Sequence, residues 1–224
     1  MIDESWSGVE GHESPFGPIH VLEAVDSTQD EARRLIEMSE PGVVIGKRQL
    51  KGRGRQGRVW LDADGASLSM SLPIRSALPP AGLSIAIGLG VLEGCRALGA
   101  DTLALKWPND VVERSPDWPG RKLAGVLIES FGAWAVAGLG VNVLANKAFS
   151  LTEQATSLAE CGIASTRPET AKAVLDGVAR MLSVEPVRIR SFWHTHSALR
   201  GHSCRFRVEG RAVEGVVTEL DPQW

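Results

Sequence analysis

The chain has 224 residues, and 24 basic residues stand against 27 acidic ones, so the net charge is −3. This balance excludes binding of nucleic acid or acidic membranes through overall charge. No apolar run approaches the roughly 20 residues that a membrane span needs, and the acidic start is unlike a secretion signal. Three widely separated cysteines, Cys95, Cys161 and Cys204, indicate reduced thiols rather than disulfides or a metal pair. We therefore expect a cytoplasmic protein that binds neither DNA nor membrane.

The first half of the chain mixes short strands with helices. Residues 1–18 are polar and rich in glycine and proline, which predicts a flexible lead-in. Hydrophobic patterning then predicts strands at 19–25, 43–45 and 67–74 and helices at 30–38 and 83–98. Ser27 and Thr28 are suited to cap the first of these helices. The alternation in 67–74 (SLSMSLPI) predicts a strand that is buried on one face.

The second half continues in the same mixed order. Strands are predicted at 103–107, which ends at Pro108, and at 126–130 and 134–143, which are joined at Gly132. A helix is predicted at 167–182, with Thr166 as N-cap and Glu169 close behind it. Residues 202–219 predict two or three short strands. Because the elements follow no regular βαβ rhythm, the pattern favours an α+β fold with helices packed on a mixed β-sheet.

The most unusual segment is residues 47–58 (KRQLKGRGRQGR), which holds six basic residues, three glycines and no acid. Glycines at 52, 54 and 57 let the backbone approach a ligand closely. The interleaved arginines favour a phosphate or a carboxylate as the occupant. Composition alone leaves a solvated basic loop or a nucleic-acid patch equally open. A P-loop is excluded, because the sequence has no G-x-x-x-x-G-K-[ST].

A second group of candidates is residues 106–110 (KWPND), followed by Lys122 in 121–125 (RKLAG). A strand that stops at a proline puts Asn109 and Asp110 on a turn, where functional groups are frequent. Lys122 precedes an apolar strand and so lies near the mouth of that strand. Taken singly, each lysine is more typical of a surface side chain whose stem packs on the protein.

Taken in order, these motifs resemble those of the biotin–protein ligase family. They are 26–28 (DST), Gln49, 52–60 (GRGRQGRVW), 106–110 (KWPND), 121–125 (RKLAG) and 138–142 (GLGVN). The resemblance is close over residues 19–145 and looser beyond. It implies a class II synthetase-like catalytic domain over 19–200 and a partial SH3-like β domain over 201–224. Because only about twenty residues precede the first strand, we expect the form without an N-terminal DNA-binding domain.

The resemblance also implies roles for individual residues. Those implied to bind biotin are Ser27, Thr28, Gln29, Gln49, Gly52, Arg53, Gly54, Arg55, Lys122 and Gly125. Those implied to contact ATP or the adenylate are Arg55, Arg58, Trp60, Lys106, Asn109, Lys122 and Asn142. Those implied to act in catalysis are Lys122, Arg55 and Asp110.

Within these sets, the resemblance distinguishes several kinds of contact. Ser27, Thr28 and Gln49 would hydrogen-bond the ureido ring of biotin, whose donors and acceptor must be satisfied in a closed pocket. Arg53 and Arg55 would hold the carboxylate and the α-phosphate. Trp60 would form an apolar wall, and Asn109 and Asn142 would contact phosphate or ribose. Asp110 would orient the acceptor lysine.

The implied activity is an ATP-dependent ligation in two steps. Biotin becomes biotinyl-5′-adenylate and is then passed to a lysine of a biotin carboxyl carrier protein or domain. Two anions meet in the first step, so catalysis is mostly positioning and charge neutralisation. We expect no metal site of the protein's own, with Mg²⁺ arriving on ATP. The oligomeric state stays open between a monomer and a weak homodimer.

One departure and two alternatives accompany this interpretation. Gln29 stands where the family usually has Asn, which puts that contact in doubt. A lipoate or octanoate ligase or transferase has the same fold and is the nearer alternative. A nucleic-acid-binding module that uses the basic loop is the more distant one.

Overall fold

The computed structural model describes residues 4–62, 64–114, 120–150, 154–208 and 210–218. The helices in these ranges are α1 Ser7–Glu10, α2 Thr28–Glu37, α3 Pro80–Ala97, α4 Lys147–Ser150, α5 Arg167–Leu182 and α6 Pro186–His196. The strands are β1 Ile19–Leu22, β2 Val43–Gly46, β3 Ser67–Ile74, β4 Leu103–Lys106, β5 Asp110–Glu113, β6 Lys122–Phe131, β7 Trp134–Asn142, β8 Ser203–Val208 and β9 Arg211–Val216. Residues Arg55–Gly57 form a single 3₁₀ turn.

Seven strands form one mixed sheet in the order β1-β2-β3-β7-β6-β5-β4. Strands β1 and β2 are parallel, and the other neighbouring pairs of this sheet are antiparallel. The predicted pair of strands joined at Gly132 is confirmed as the hairpin of β6 and β7, although β6 begins earlier, at Lys122. Strand β5 was not predicted, because it has four residues directly after a turn.

Helices α3 and α5 pack against each other, and glycines let their backbones approach closely. A Cβ built on Gly90 would lie 2.5 Å from the Cα of Val178, and one on Gly177 would lie 2.2 Å from the carbonyl oxygen of Gly90. The predicted buried helix at 83–98 is confirmed as α3. The predicted capping box of α5 is also confirmed, with Thr166 and Glu169 bonding each other's backbone N–H.

Strand β3 is buried on both faces, so the predicted single buried face is wrong. Its apolar residues, such as Met70 and Leu72, belong to the main core together with residues of α3. Its serines are buried as well, because α2 covers the other face of the sheet. Ser71 donates a hydrogen bond from Oγ to Oγ1 of Thr28, the first residue of α2, at 2.8 Å. The alternation in this strand therefore reflects a sheet covered on both faces.

Residues 4–18 are packed on the domain, which differs from the predicted flexible lead-in. Trp6 and Val9 are 6% and 0% exposed and belong to the main core. The Nε of Arg167 donates to a carboxylate oxygen of Glu4 at 2.8 Å. The polar composition of the segment concealed these few anchoring residues, and residues 1–3 lie outside the described ranges.

The C-terminal strands β8 and β9 form a separate antiparallel hairpin. They confirm two of the short strands predicted in 202–219, and residue 219 lies outside the described residues. The backbone N–H of Ala198 donates to the carbonyl oxygen of Leu105 in β4 at 2.8 Å. The rings of Trp107 and Phe206 meet edge to face, with centroids 6.5 Å apart. The predicted α+β fold class is confirmed, whereas the boundaries at residues 18 and 200 stay predictions.

Candidate functional site

The sequence motifs converge because strand pairing lines up their residues in one row across the sheet. The row runs from β2 to β4 through Gly46, Ser69, Gly140, Gly125, Asp110 and Lys106, each paired with the next. Three of these residues are glycines and one is a serine, so the middle of the sheet face carries almost no side-chain bulk. The larger side chains of Trp60 and Lys122 lie in the space that these small residues leave.

A first cavity, which we call the inner pocket, lies at this row beside the N-terminus of α2. Its lining residues are Ser27, Thr28, Gln29, Gln49, Arg53, Gly54, Arg55, Trp60, Asn109, Lys122, Gly125, Val126, Leu127, Gly138, Leu139 and Gly140. The cavity and its mouth enclose about 460 Å³. This figure includes open space at the mouth, so the enclosed part of the pocket is smaller than 460 Å³.

A second cavity, which we call the outer cleft, adjoins the inner pocket. Its lining residues are Arg58, Val59, Trp60, Leu61, Lys106, Asp110, Val112, Glu113, Gly120, Arg121, Lys122, Asn142, Ala148, Phe149, Gln154 and Ala155. Trp60 and Lys122 line both cavities. A group that leaves one ligand and joins another at this boundary would therefore react next to the amine of Lys122.

The closed end of the inner pocket is a small network of hydroxyl and amide groups. The side-chain oxygen of Gln49 accepts from both the backbone N–H and the hydroxyl of Thr28, at 2.9 and 3.1 Å. Ser27 occupies the N-cap position of α2, but its side chain makes no capping hydrogen bond. The predicted capping hydrogen bond is therefore not formed, and Gln49 satisfies the N–H of Thr28, the first residue of the helix. The hydroxyl of Ser27 lines the pocket.

Gln29 is 4% exposed, and its side-chain amide lies over strands β6 and β7. Its Nε2 is 3.4 Å from the carbonyl oxygens of both Leu127 in β6 and Val136 in β7. A Cβ on Gly138 would lie 2.8 Å from the amide carbon of Gln29, so the glycine leaves room for the longer side chain. Gly138 of β7 therefore makes room for Gln29 at a position where the family usually has Asn.

Lys122 is held in place from two sides. Its Nζ lies 2.7 Å from Oδ1 of Asp110 and 5.5 Å from the centre of the Trp60 ring. A Cβ on Gly125 would lie 2.9 Å from the same Nζ, so this glycine provides the space in which the amine lies. The carboxylate and the aromatic face both attract the ammonium group electrostatically. The arrangement presents a fixed positive charge at the boundary of the two cavities.

The basic loop is a narrow hairpin that lies over the inner pocket. The N–H of Trp60 donates to the carbonyl oxygen of Gly52 at 3.0 Å, and the N–H of Gly54 donates to that of Arg58 at 2.7 Å. Gly52 lies at the base of this hairpin and does not line the inner pocket, contrary to its predicted contact. Gly57 has a φ of 73°, a conformation that glycine adopts easily.

The two arginines of the loop that line the inner pocket are placed differently. Arg55 is exposed and donates from Nη1 to Oδ1 of Asn109 across the pocket, at 3.0 Å. Asn109 is oriented by a bond from its Nδ2 to the carbonyl oxygen of Val126, at 3.0 Å. Arg53 instead bonds both carboxylate oxygens of Asp30, at 2.6 and 2.8 Å. The predicted pairing of both arginines with one ligand therefore does not match the position of Arg53.

Asn142 lines the outer cleft, but its amide is committed to the protein. Oδ1 accepts from the hydroxyl of Ser67 at 3.1 Å, and Nδ2 donates to the carbonyl oxygen of Thr156 at 2.9 Å. With 4% exposure, this side chain joins β7 to its neighbours rather than offering a free contact to phosphate or ribose. Arg58 and Lys106, by contrast, line the same cleft as the cations predicted to contact ATP.

Asp62 is a site neighbour that sequence reasoning missed. Its Oδ2 accepts the backbone N–H of Gln49 at 2.9 Å, which fixes the strand end that carries Gln49. Burial raises the pKa of this carboxyl from 3.8 to about 6, against the lowering influence of the Gln49 bond and of Arg167. A lone acid after an apolar residue gives no sequence signal of this role.

Two further observations concern metal ligands and membrane-spanning helices. Across the described ranges, no three or more His, Cys, Asp or Glu side chains cluster as metal ligands would. None of the helices in the part of the chain that the structure describes has the length and apolar character to cross a membrane.

Comparison with known proteins agrees with the motif resemblance. The sequence profile of the Biotin/lipoate A/B protein ligase family matches residues 21–146. The chain is 40% identical over 136 residues to the bifunctional ligase/repressor BirA of Escherichia coli K12, covering 57% of this chain and 41% of that protein. It is 34% identical over 199 residues to the biotin--[acetyl-CoA-carboxylase] ligase of Mycobacterium tuberculosis H37Rv, covering 81% and 70% of the two chains.

A solved structure of a related protein has the same fold. The fold matches the biotin protein ligase of Aquifex aeolicus in complex with biotin and ATP, with a TM-score of 0.78, 26% identity, and coverage of 91% of this chain and 88% of that chain. The chain nevertheless spans only 41% of the length of BirA. Since the family profile covers more than half of the chain, and since one relative is matched over most of its length, the predicted family is confirmed. The chain belongs to the Biotin/lipoate A/B protein ligase family.

Proposed function

We propose that this protein is an ATP-dependent biotin–protein ligase, which activates biotin as biotinyl-5′-adenylate and transfers it to a lysine of a biotin carboxyl carrier domain. The observation that carries this proposal is Lys122, whose amine stands at the boundary of the inner pocket and the outer cleft. The relatives named as biotin ligases, and the related structure with biotin and ATP, support the same assignment.

Biotin would occupy the inner pocket. The ureido ring has two N–H donors and one carbonyl acceptor, which Ser27, Thr28 and Gln49 can satisfy at the closed end. The apolar ring sulfur and valeryl chain would then run past Leu139 and Gly140 towards Trp60. This direction brings the carboxylate to Lys122, where an anion is stabilised.

In the first step a carboxylate oxygen of biotin attacks the α-phosphorus of MgATP, and the bond from that phosphorus to the bridging oxygen breaks. Pyrophosphate leaves, and a mixed anhydride of biotin and AMP remains. Lys122 and Arg55 offset the repulsion between the two anions and the charge that builds on the phosphoryl oxygens. Arg58 and Lys106 line the cleft where the triphosphate would extend. Mg²⁺ enters with ATP as part of the substrate.

In the second step the neutral ε-amine of the carrier lysine attacks the activated carbonyl carbon. The amide forms, AMP leaves with the electron pair of the broken C–O bond, and the proton lost by the amine passes through Asp110 to solvent in the outer cleft. Asp110 lines the outer cleft and can accept a hydrogen bond from the incoming amine while its other oxygen holds Lys122. We further propose a cytoplasmic setting, in keeping with three free cysteines.

The decisive experiment is biotin-dependent ATP–pyrophosphate exchange on the purified chain. We expect exchange with biotin and little with lipoate or octanoate at the same concentration. Exchange that lipoate supports as well as biotin does would instead favour the lipoate ligase alternative. A chain that catalyses no exchange and binds DNA with a steep salt dependence would favour the nucleic-acid-binding alternative.

A further inference from the structure

The guanidinium of Arg53 is held by carboxylates from two other elements. It makes a bidentate pair with Asp30 of α2, and its Nη2 lies 3.3 Å from Oε2 of Glu129 in β6. Arg33 closes the ring of charges, because its Nη2 lies 2.8 Å from the same oxygen of Glu129 and its Nη1 3.8 Å from Asp30. We call Asp30, Arg33, Arg53 and Glu129 the anchor quartet.

The quartet is more than a collection of surface pairs. An isolated, exposed ion pair contributes little, but a bidentate guanidinium–carboxylate pair has one preferred orientation. Hydrogen bonding by Arg53 also lowers the pKa of Asp30, which keeps this carboxylate charged. The side chains of Glu129 and Arg33 are 28% and 29% exposed, whereas those of Arg53 and Asp30 are 37% and 53% exposed, so the orientation comes from the bidentate geometry and the network rather than from burial. The quartet therefore holds Arg53 in one position.

The position of Arg53 in the hairpin loop gives this restraint a consequence. Arg53 pairs with Val59 in a β-bridge near the base of the loop, whereas Arg55 begins the turn at its tip. The base is thus tied to α2 and β6, while the tip reaches across the pocket through one side-chain bond to Asn109. The base of the loop is therefore restrained by more contacts than its tip.

We propose that Arg53 is a positioning residue: through the anchor quartet it fixes the base of the loop, and so sets how closely the tip with Arg55 can cover the bound acyl-adenylate. This inference rests on the proposed function. Its rival is that Arg53 leaves the carboxylates and contacts the ligand directly. The two differ over Asp30, which does not line the inner pocket. Only the positioning role makes loss of the Asp30 carboxylate weaken ligand retention, because under the rival that loss would free Arg53 for the ligand.

The test measures the release rate of preformed biotinyl-adenylate, together with kcat and the KM for biotin, in Arg53→Lys, Asp30→Asn and the double variant. Lysine keeps the charge but loses the bidentate geometry. We expect each single variant to release the adenylate roughly three- to fivefold faster and to raise KM by a similar factor, as loss of a network ion pair allows. We expect kcat within twofold of the wild type. The double variant should be no worse than either single one, because both remove the same contact.

A matched control is Glu31→Gln. Glu31 is the neighbour of Asp30 on α2 and pairs with Arg34 at 2.6 Å, away from the loop. It should leave release and KM unchanged, and Asp30→Glu, which keeps the carboxylate, should recover most of the retention lost in Asp30→Asn. If Arg53→Lys releases the adenylate quickly and Asp30→Asn retains it as well as or better than the wild type, the direct-contact rival is correct and the inference is overturned.

A second readout does not depend on ligand chemistry. Limited trypsin digestion of the ligand-free protein should cut within 52–60 faster in Arg53→Lys and Asp30→Asn than in Glu31→Gln, because the base of the loop is released. Equal cutting rates would overturn the inference. If the wild type makes no adenylate with biotin but the digestion rates differ as expected, then the proposed function fails while the anchoring role of Arg53 stands.

Discussion

The indole of Trp60 lies directly on Gly140: a Cβ built on this glycine would stand 2.2 Å from Cε2 of the ring. Such a distance is well inside van der Waals contact, so no side chain fits there unless the ring moves. Trp60 in turn forms the wall that the inner pocket and the outer cleft share, beside Lys122. Gly140 therefore determines where that wall lies.

We expect Gly140→Ala to displace Trp60 and to reduce adenylate formation by about 10²-fold, the loss that a misplacement near 1 Å can cause. The fold should survive, because the added methyl meets a side chain rather than backbone. Steady-state ATP–pyrophosphate exchange measures the effect, and circular dichroism checks the fold. The control is Gly215→Ala in β9, where a Cβ meets nothing within 4 Å. Equal activity of the two variants would contradict the role of Gly140.

Lys122→Ala should lower the rate of adenylate formation by roughly 10²- to 10³-fold, as expected for the loss of one group that stabilises charge in the transition state. The measurement is single-turnover formation of biotinyl-adenylate at saturating ATP. Lys172→Ala on α5 serves as the control, because Lys172 lines neither the inner pocket nor the outer cleft. Near-normal pyrophosphate release by Lys122→Ala would remove Lys122 from the mechanism.

Arg55→Gly should loosen the cover over the adenylate, because it removes the bond to Asn109 and the charge near the α-phosphate. We expect activated biotin to escape and to label lysines of bystander proteins, which streptavidin blotting of a mixture with serum albumin detects. Arg48→Gly removes a charge from the same basic segment without lining either cavity and should keep labelling confined to the carrier. If Arg55→Gly is equally selective, Arg55 does not retain the adenylate.

Asp62 should make the free energy of unfolding decrease as pH rises. Its pKa is raised by burial from 3.8 to about 6, so the folded protein binds this proton more tightly than the unfolded chain does. Stability should therefore fall as pH rises from 3.8 to 6, and the full cost should apply above pH 6. Asp62→Asn removes the buried charge and should be more stable than the wild type at pH 7.5, with the difference vanishing near pH 4.

Thermal denaturation from pH 4 to 8 checks this expectation. Partial exposure of the carboxylate limits the effect to about 1 kcal/mol, which corresponds to a shift in Tm of roughly 2–4 °C. Asp101→Asn is the matched control, because the side chain of Asp101 is 80% exposed and its charge does not act on the carboxyl of Asp62. A constant difference between Asp62→Asn and the wild type at every pH would show that burial of this charge costs nothing.

Much of the site could be predicted from the sequence, because its motifs are local and their order is distinctive. Ser27, Gln49, Arg55 and Lys122 were identified as pocket residues and all line the inner pocket, although their contacts with ligand stay predictions. The pairing of Arg53 with carboxylates could not be predicted. One of its partners, Glu129, is 76 residues away in the sequence and belongs to no motif.

Other misses have the same physical origin. Asn142 lies in a conspicuous G-x-G-x-N pattern, yet its amide is used by Ser67 and Thr156. The packing of Trp6 was missed because a single aromatic residue in a polar stretch gives no periodic signal. Local patterns predict which residues lie at the site, whereas tertiary contacts decide what each of them does there.

The hydrogen bond from Ala198 to Leu105 has a consequence for self-association. The outer side of β4 would otherwise present unpaired backbone groups to another chain, as edge strands do. Because the segment after α6 already accompanies this strand, a second copy could extend the sheet here only after peeling that segment away. Joining of strands at β4 is therefore disfavoured, which leaves β1 as the other edge strand of this sheet.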